Sequence, residues 1–444
     1  MRGVPDVEQY LDALRKTTPY VRAGRITRVS GLGLEADGPD AHLAEVCEIV
    51  SEDGRRHKAE VVAVQEGRVV LMPYGNTQGI GVGSRVVATG EVPHIDVSDA
   101  LLGRVVDAFG APLDAGAPIG ARANVRMPLH PRPLNPLARA PIDTRLPTGV
   151  RAIDALLPLG RGQRMGIFAG SGVGKSSLLG MLARGVQADV NVVALIGERG
   201  REVQEFFSHG LDEVSRKRTV LLAATSDQPA VARARAAYAA TAIAEYFRDR
   251  GASVFMMMDS ITRFAMARRE IDLAAGQPPT SRGYTPSVFT EIPALCERCG
   301  ALQGGGSITA VYTVLVEGDD HNEPIADALR ATLDGHIVLT RDFAHQGHFP
   351  AIDVLQSVSR LEAQLLSGGE RHLQARLRAL FATYGKHREM VDMGLYKAGA
   401  NAALDEALLK LPALNDFVRQ GLRDIAPISD TTARLAAALR ETLA

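Results

Sequence analysis

Residues 165 to 177 read Met-Gly-Ile-Phe-Ala-Gly-Ser-Gly-Val-Gly-Lys-Ser-Ser. Such a stretch fits few shapes. The apolar run Met165 to Phe168 reads as a buried strand, and Leu178, Leu179, Met181 and Leu182 fall at helical spacing. Between them lies a loop of small residues: Ala169, Gly170, Ser171, Gly172, Val173 and Gly174, followed by Lys175, Ser176 and Ser177. Strand, glycine-rich loop and helix start is the context a phosphate-binding loop requires. The loop amides wrap the phosphates, and the helix N-terminus adds partial positive charge. Lys175 would reach the β- and γ-phosphates, and the Ser176 hydroxyl would sit on Mg²⁺. Ala169 stands where the strict pattern has its first glycine, and alanine tolerates most of the same backbone. The competing reading is a chance glycine-rich turn.

The rest of the composition excludes more than it assigns. Formal net charge is −1, which gives no global electrostatic case for nucleic acid. Tryptophan is absent and aromatics are 5%, against a base-stacking platform. No apolar stretch approaches the roughly 20 residues of a membrane span, and the N-terminus lacks a signal-peptide core. Three cysteines fit a reducing cytosol. Cys296 and Cys299 form a Cys-x-x-Cys with no second ligand pair nearby, so packing is the expected use.

At 444 residues the chain allows about two to four domains. Residues 1–88 read as β-rich, with Gly24 to Val29, His42 to Val50, Lys58 to Gln65 and Arg68 to Met72 as short alternating segments. Glu66-Gly67 is a plausible hairpin turn, and a helix with Val7, Tyr10, Leu11 and Leu14 on one face precedes them. Strands at this spacing predict a small barrel. The next stretch is rich in Pro and Gly, with Leu101 to Gly110 as a strand ending in a turn. From about 150 to 365 strands alternate with helices. Near-continuous apolar runs at Met165–Phe168, Val190–Ile196, Thr219–Ala224, Ser253–Met258, Ser307–Val316 and His336–Leu339 predict a mainly parallel sheet covered on both faces. Pro229 to Asp249 is alanine-rich and helical. Residues 368–444 show helical spacing at Leu373 to Phe381, Ala402 to Leu409, Asn415 to Leu422 and Asp430 to Leu443, and predict a helical bundle. The expected domains are therefore 1–88, 89–367 and 368–444.

Phosphoryl transfer needs further parts: a magnesium carboxylate, a residue that orients water, and positive charge for the transition state. Asp259 ends the apolar run Val254-Phe-Met-Met-Met, the pattern of a carboxylate at the tip of a buried strand. Otherwise it is a loop or cap residue. Glu198 follows the strand Val190–Ile196, where a carboxylate can polarise a water; Glu202 is its rival. Arg199 and Arg201 can stabilise phosphate charge or pair with these acids, and a surface ion-pair cluster is the plain alternative. On spacing alone, Arg360 is an ordinary arginine and Phe349 defaults to core.

Several blocks together resemble the catalytic subunit of rotary ATP synthases and, more closely, the ATPase of the flagellar and type III secretion export apparatus. They are Gly166-Ile-Phe-Ala-Gly-Ser-Gly-Val-Gly-Lys-Ser, Leu195-Ile-Gly-Glu-Arg-Gly-Arg-Glu-Val, Ala224-Thr-Ser-Asp-Gln-Pro-Ala and Ala244-Glu-Tyr-Phe-Arg-Asp. Three others are Met257-Met-Asp-Ser-Ile-Thr-Arg-Phe-Ala-Met-Ala-Arg-Arg-Glu-Ile, Val314-Leu-Val-Glu-Gly-Asp-Asp-His-Asn-Glu-Pro-Ile-Ala-Asp and Gly347-His-Phe-Pro-Ala-Ile-Asp-Val-Leu. The resemblance runs from about residue 20 and is strongest over 146 to 362. It implies an α/β chain: an N-terminal β-barrel, a central RecA-like P-loop domain with a mainly parallel sheet, and a C-terminal helical bundle. It implies ATP as substrate and Mg²⁺ as its partner. Glu198 would match the glutamate that activates water, with Arg199 in the same loop. Asp259 would match the magnesium aspartate and Arg263 an arginine near the γ-phosphate. Arg360 would match an arginine finger given to the neighbouring subunit, and Phe349 stands where the family usually stacks tyrosine on adenine.

The same resemblance implies a homohexamer at the cytoplasmic face of the inner membrane. Its expected partners are a stator-like regulator at the N-terminal region, a coiled-coil stalk protein in the pore, and an export gate, chaperones and secreted substrates at the C-terminal face. Two other classes compete. A rotary synthase catalytic subunit would carry an acidic lever motif, and residues 385 to 410 show no such run. An RNA-translocating hexamer would need a basic, aromatic N-terminal domain, yet the first 90 residues carry only Tyr10, Tyr20 and Tyr74. Met266-Ala-Arg-Arg-Glu and Tyr396-Lys-Ala-Gly-Ala lean towards the flagellar branch.

Overall fold

The computed structural model describes residues 21–31, 33–117, 119, 125–316 and 323–440. The helix expected around Val7 to Leu14 lies outside the described residues, as does Glu317 to Asn322 within one of the resembling blocks. The described residues up to Pro93, with Pro229–Val231 and Arg269–Pro278, form one compact unit; the remainder forms a second.

Six strands make the first unit a closed barrel: β1 (Ala23–Val29), β2 (Leu34–Asp37), β3 (Val46–Val50), β4 (Arg56–Gln65), β5 (Arg68–Pro73) and β6 (Arg85–Ala88), in the order β1-β2-β5-β4-β3-β6. Alternation puts Ile26, Leu34, Ala36, Cys47, Ile49, Val61, Leu71 and Val86 inside, which is why a barrel this small has a continuous core. Glu66 and Gly67 form the β4–β5 turn as expected, with Gly67 at φ +70°. The strand expected from His42 begins only at Val46. Ala44 is left-handed at φ +64°, and the buried Glu45 carboxylate accepts from the His42 and Gly90 amides at 3.0 and 2.7 Å, which holds a turn there. The four-residue strands β2 and β6 are too short to show a period in the sequence.

In the second unit β7 (His94–Val97) pairs with β9 (Val125–Pro128). The Leu101–Gly110 strand shrinks to β8 (Val105–Val106). Asp107 stops it, its Oδ1 accepting from the amides of Phe109 and Ala111 at 2.8 Å each. The large sheet contains β10 (Arg164–Ala169), β11 (Val190–Ile196), β12 (Thr219–Ala224), β13 (Ser253–Asp259), β14 (Gly300–Ala301), β15 (Ser307–Leu315), β16 (Gly335–Leu339) and β17 (Ile352–Ser359). Among the described residues its order is β17-β16-β10-β15-β13-β11-β12-β8, with β14 paired to β15. All neighbours along that order are parallel except β16 and β17. β17 escaped sequence reading because an edge strand need not be apolar: Asp353, Leu355, Gln356 and Val358 stay partly or fully exposed.

Helices cover the sheet, and three C-terminal ones, Gly368–Asp392, Ala402–Val418 and Ile428–Leu439, follow β17. Leu373, Leu377, Leu414, Phe417 and Leu435 share one apolar cluster with Ile153, Leu156 and Met165 of the sheet region. The two helices expected at 402–409 and 415–422 are one helix that continues through Pro412 and ends at Val418. The Arg151 side chain caps it, Nε donating to the Phe417 carbonyl at 2.8 Å, so the chain turns out there and not at the proline. Cys296 and Cys299 are buried; Cys299 Sγ lies 3.2 Å from Tyr312 Oη, and burial pushes its thiol up to about 11.

The helix Lys175–Gly185 ends where backbone meets backbone. A Cβ at Gly185 would collide with the Thr148 carbonyl oxygen, and neither main chain can step aside. We expect Gly185→Ala to destabilise by about 1–3 kcal/mol. Gly385, mid-helix with open space around its Cα, should behave oppositely: Gly385→Ala gains about 0.5–1 kcal/mol. Chemical denaturation of both variants reads the two signs directly.

Candidate active site

The parallel strands of the large sheet carry their next residues to one end, where open α/β sheets bind ligands. β10 ends at Ala169, buried and regular in the strand, so the alanine in the first-glycine position costs the loop nothing. Gly172 and Gly174 then take φ +77° and +90°, a turn that side-chain-bearing residues resist. Gly174 leads straight into the helix at Lys175.

Three charged groups converge there, two from strand ends and one from the first turn of the helix Lys175–Gly185. Lys175 Nζ is ion-paired with Asp259 Oδ1, at the tip of β13, and lies 3.4 Å from Glu198 Oε1, just after β11. All three side chains are largely buried. Burial works against the lysine's charge, but the two carboxylates outweigh it and hold its pKa above the ordinary value. Burial, a hydrogen bond to Glu202 and the charge of Asp259 push Glu198 up to about 7. Glu202 moves the other way, lowered chiefly by the proton Glu198 donates. Of the two, Glu198 is therefore the carboxyl that holds a proton to higher pH.

Ser176, Ser177, Glu198, Glu202 and Asp259 line a single cavity of about 740 Å³ that extends between the helix Lys175–Gly185 and a π-helical turn at Phe206–Gly210. Among the described residues no group of three or more His, Cys, Asp or Glu is placed to hold a metal ion. Of the oxygens that line the cavity, the Asp259 carboxylate and the Ser176 hydroxyl are the pair expected to hold a cation. That sparse oxygen set fits Mg²⁺, which keeps waters and borrows phosphate oxygens in place of a full protein cage.

The other expected residues divide. Arg263 lies against the Glu198 loop: its Cβ would be 2.9 Å from any Cβ at Gly197, and its Nε is buried without a hydrogen-bond partner. Phe349 is exposed, with its ring 3.5 Å from where a Gly174 Cβ would lie, so it flanks the loop. Its carbonyl accepts from the Gln420 amide at 2.9 Å. Arg199 is exposed and leads into the helix Gly200–Glu205, outside the converging triad. Arg360 is not brought to the site. It follows β17 at the opposite end of the sheet, its amide on the Asp334 carbonyl at 3.0 Å and Nη2 on the Arg330 carbonyl at 2.8 Å.

Sequence reading passed over Thr313. It is fully buried in β15 and donates from Oγ1 to Asp259 Oδ1 at 2.6 Å. The signal was present: Thr309 and Thr313 interrupt an otherwise apolar strand.

Comparison with known proteins gives three consecutive matches. The nucleotide-binding domain of the ATP synthase alpha/beta family matches residues 149–359, and that family's beta-barrel domain matches 26–90. The T3SS EscN ATPase C-terminal domain matches 367–437. The flagellum-specific ATP synthase of Bacillus subtilis is 49% identical over 433 residues, spanning 96% of this chain and 98% of that protein. The assembled ATPase EscN from the enteropathogenic E. coli type III secretion system superimposes with a TM-score of 0.89 at 42% identity, covering 94% of this chain and all of that one. EscN in complex with its central stalk EscO gives 0.85 at 41% identity with the same 94% and 100% coverage. The likeness therefore extends from the barrel through the loop-bearing sheet to the last helices, and the chain belongs to the ATP synthase alpha/beta family, among its flagellum-specific and type III secretion ATPases.

Proposed function

We propose that this chain is an Mg-dependent ATP hydrolase that energises protein export through a flagellar or type III secretion apparatus. The observation that carries this reading is the Lys175 ammonium held between Glu198 and Asp259 at the mouth of the phosphate loop. Those contacts are what a triphosphate would replace: Lys175 turns to the β- and γ-phosphates, while the loop amides of 170 to 174 wrap them. Mg²⁺, when bound, supplies charge neutralisation across the phosphates. Ser176 and Asp259 are the residues that would hold it. Glu198, freed from Lys175, accepts the proton of the attacking water. In this reading Arg263, packed against Gly197, and Arg199, next to Glu198, add positive charge, and Phe349 offers the face on which adenine stacks.

Arg360 works in this reading from the neighbouring subunit of a homohexamer, and assembly of the related EscN supports a ring. The EscN–EscO complex supports a central stalk protein as partner. In the same picture residues 1–88 form a collar that meets a stator-like regulator. Residues 89–367 hold the nucleotide, and 368–444 face the export gate, chaperones and secreted proteins. Among the described residues no helix is long and apolar enough to cross a membrane; in this reading the ring attaches peripherally at the cytoplasmic face of the inner membrane. The Met266 and Tyr396 blocks favour the flagellar branch.

The direct test is ATP hydrolysis against protein concentration with and without Mg²⁺. Specific activity should rise with concentration as rings form and vanish on chelation. Lys175→Ala should weaken ATP binding by at least about 100-fold, because it removes the ammonium and leaves two buried carboxylates facing the triphosphate. Equilibrium binding of radiolabelled ATP measures this; near-normal affinity would rule out the site.

A further inference from the structure

We infer that Thr313 is a positioning residue, whose hydroxyl fixes the Asp259 carboxylate for a divalent cation once Lys175 has left it. This rests on the reading of Asp259 as the magnesium carboxylate. β13 and β15 are adjacent and parallel, with Met258 opposite Tyr312, so the next residue along each strand, Asp259 and Thr313, arrives side by side. Thr313 Oγ1 is 2.6 Å from Asp259 Oδ1 and 3.4 Å from the Met258 carbonyl. A hydroxyl has one proton to give, and the shorter, charge-assisted bond takes it. Thr309, two turns of the pleat earlier, is occupied differently, accepting from the Gly162 amide at 2.8 Å.

Among the described residues two donors reach this carboxylate, Lys175 and Thr313, both at Oδ1. Oδ2 is left for a cation or its bound water. When Lys175 swings to the phosphates, Thr313 is, among the described residues, the donor that stays on the carboxylate, stops it from rotating and keeps Oδ1 satisfied in a buried setting. The hydroxyl cannot leave, because Thr313 is in mid-strand, fully buried and pinned on both sides by the sheet. Groups that orient a metal's ligands in this way typically change metal affinity by about 10- to 100-fold when removed.

The test uses the full-length chain and titrates Mg²⁺ at fixed N-methylanthraniloyl-ADP, reading fluorescence, so turnover is not involved. Thr313→Val keeps shape and volume but has no hydroxyl; Thr313→Ser keeps the hydroxyl. We expect the Mg²⁺ midpoint of Thr313→Val to rise about 10- to 100-fold, Thr313→Ser to recover most of the loss, and Mg²⁺-free nucleotide affinity to stay at the wild-type level in both. A Val variant that titrates like wild type overturns the assignment. So does a Ser variant as weak as Val, which would point to packing, or a parallel loss of Mg²⁺-free binding, which would point to a damaged loop. A wild-type protein whose nucleotide binding ignores Mg²⁺ would instead remove the reading of Asp259, and Thr313's role with it.

Discussion

Glu198→Gln should bind ATP and assemble normally yet lose turnover by about 10²–10⁴-fold. The amide fills the same space at the end of β11 and can still meet Lys175, but it cannot take a proton from water. In the proposed mechanism the environment tunes the wild-type carboxyl for that task. Burial, the hydrogen bond to Glu202 and the nearby Asp259 charge raise its pKa to about 7, near the working pH at which a general base is most effective. The sign follows directly: a base with a raised pKa is protonated and idle below it, so kcat/KM should climb as pH rises through about 7. Glu202→Gln removes the carboxylate that favours the protonated form of Glu198, and should move that midpoint to lower pH while turnover persists. The comparison assigns the base between two carboxyls four residues apart. If Glu202→Gln abolishes hydrolysis and Glu198→Gln does not, the water is activated from Glu202.

How much of this is legible in the sequence depends on whether the cause is local. The loop from Ala169 to Ser177 announces itself because a strand, left-handed glycines and a helix start must follow one another in sequence. The strands that line the pocket are readable for a similar reason: burial on both faces demands unbroken apolar runs, and Asp259 and Glu198 stand where those runs stop. Edge strand β17 and the short barrel strands β2 and β6 lack that demand and stay hidden. So does the single helix Ala402–Val418, whose C-terminal end is capped by Arg151 from a distant part of the chain. Thr313 is the same case at the site itself. Its partner lies 54 residues away along the chain, and only strand register joins them. What the sequence pattern cannot contain is proximity between elements, and most of the pocket's electrostatics is of that kind.

Arg360→Ala should lower kcat by about 10³–10⁵ with far less effect on ATP binding, although no chain brings its own Arg360 to its own loop. β17 runs antiparallel to β16: Ile352 pairs with Leu339 at the end that faces the loop, and Ser359 with Gly335 at the other. Arg360 therefore starts from the far end of the sheet, roughly 15 Å along the strand direction from the level of Ala169, since each residue advances about 3.3 Å. Its side chain is exposed and tethered by one hydrogen bond to a backbone carbonyl, a posture open to a partner. If the finger serves a neighbour, an Arg360→Ala subunit still owns an intact Glu198 site, and a Glu198→Gln subunit still owns an intact finger. Random mixing of the two dead proteins then rebuilds about one complete interface in four in a heterologous ring, and activity should return on mixing in proportion. Arg360→Lys should recover little, because a point charge on a flexible stem does not reproduce the planar fork. Activity that never returns at any mixing ratio, in rings shown to contain both variants, would confine the whole reaction to one subunit and leave Arg360 a surface arginine.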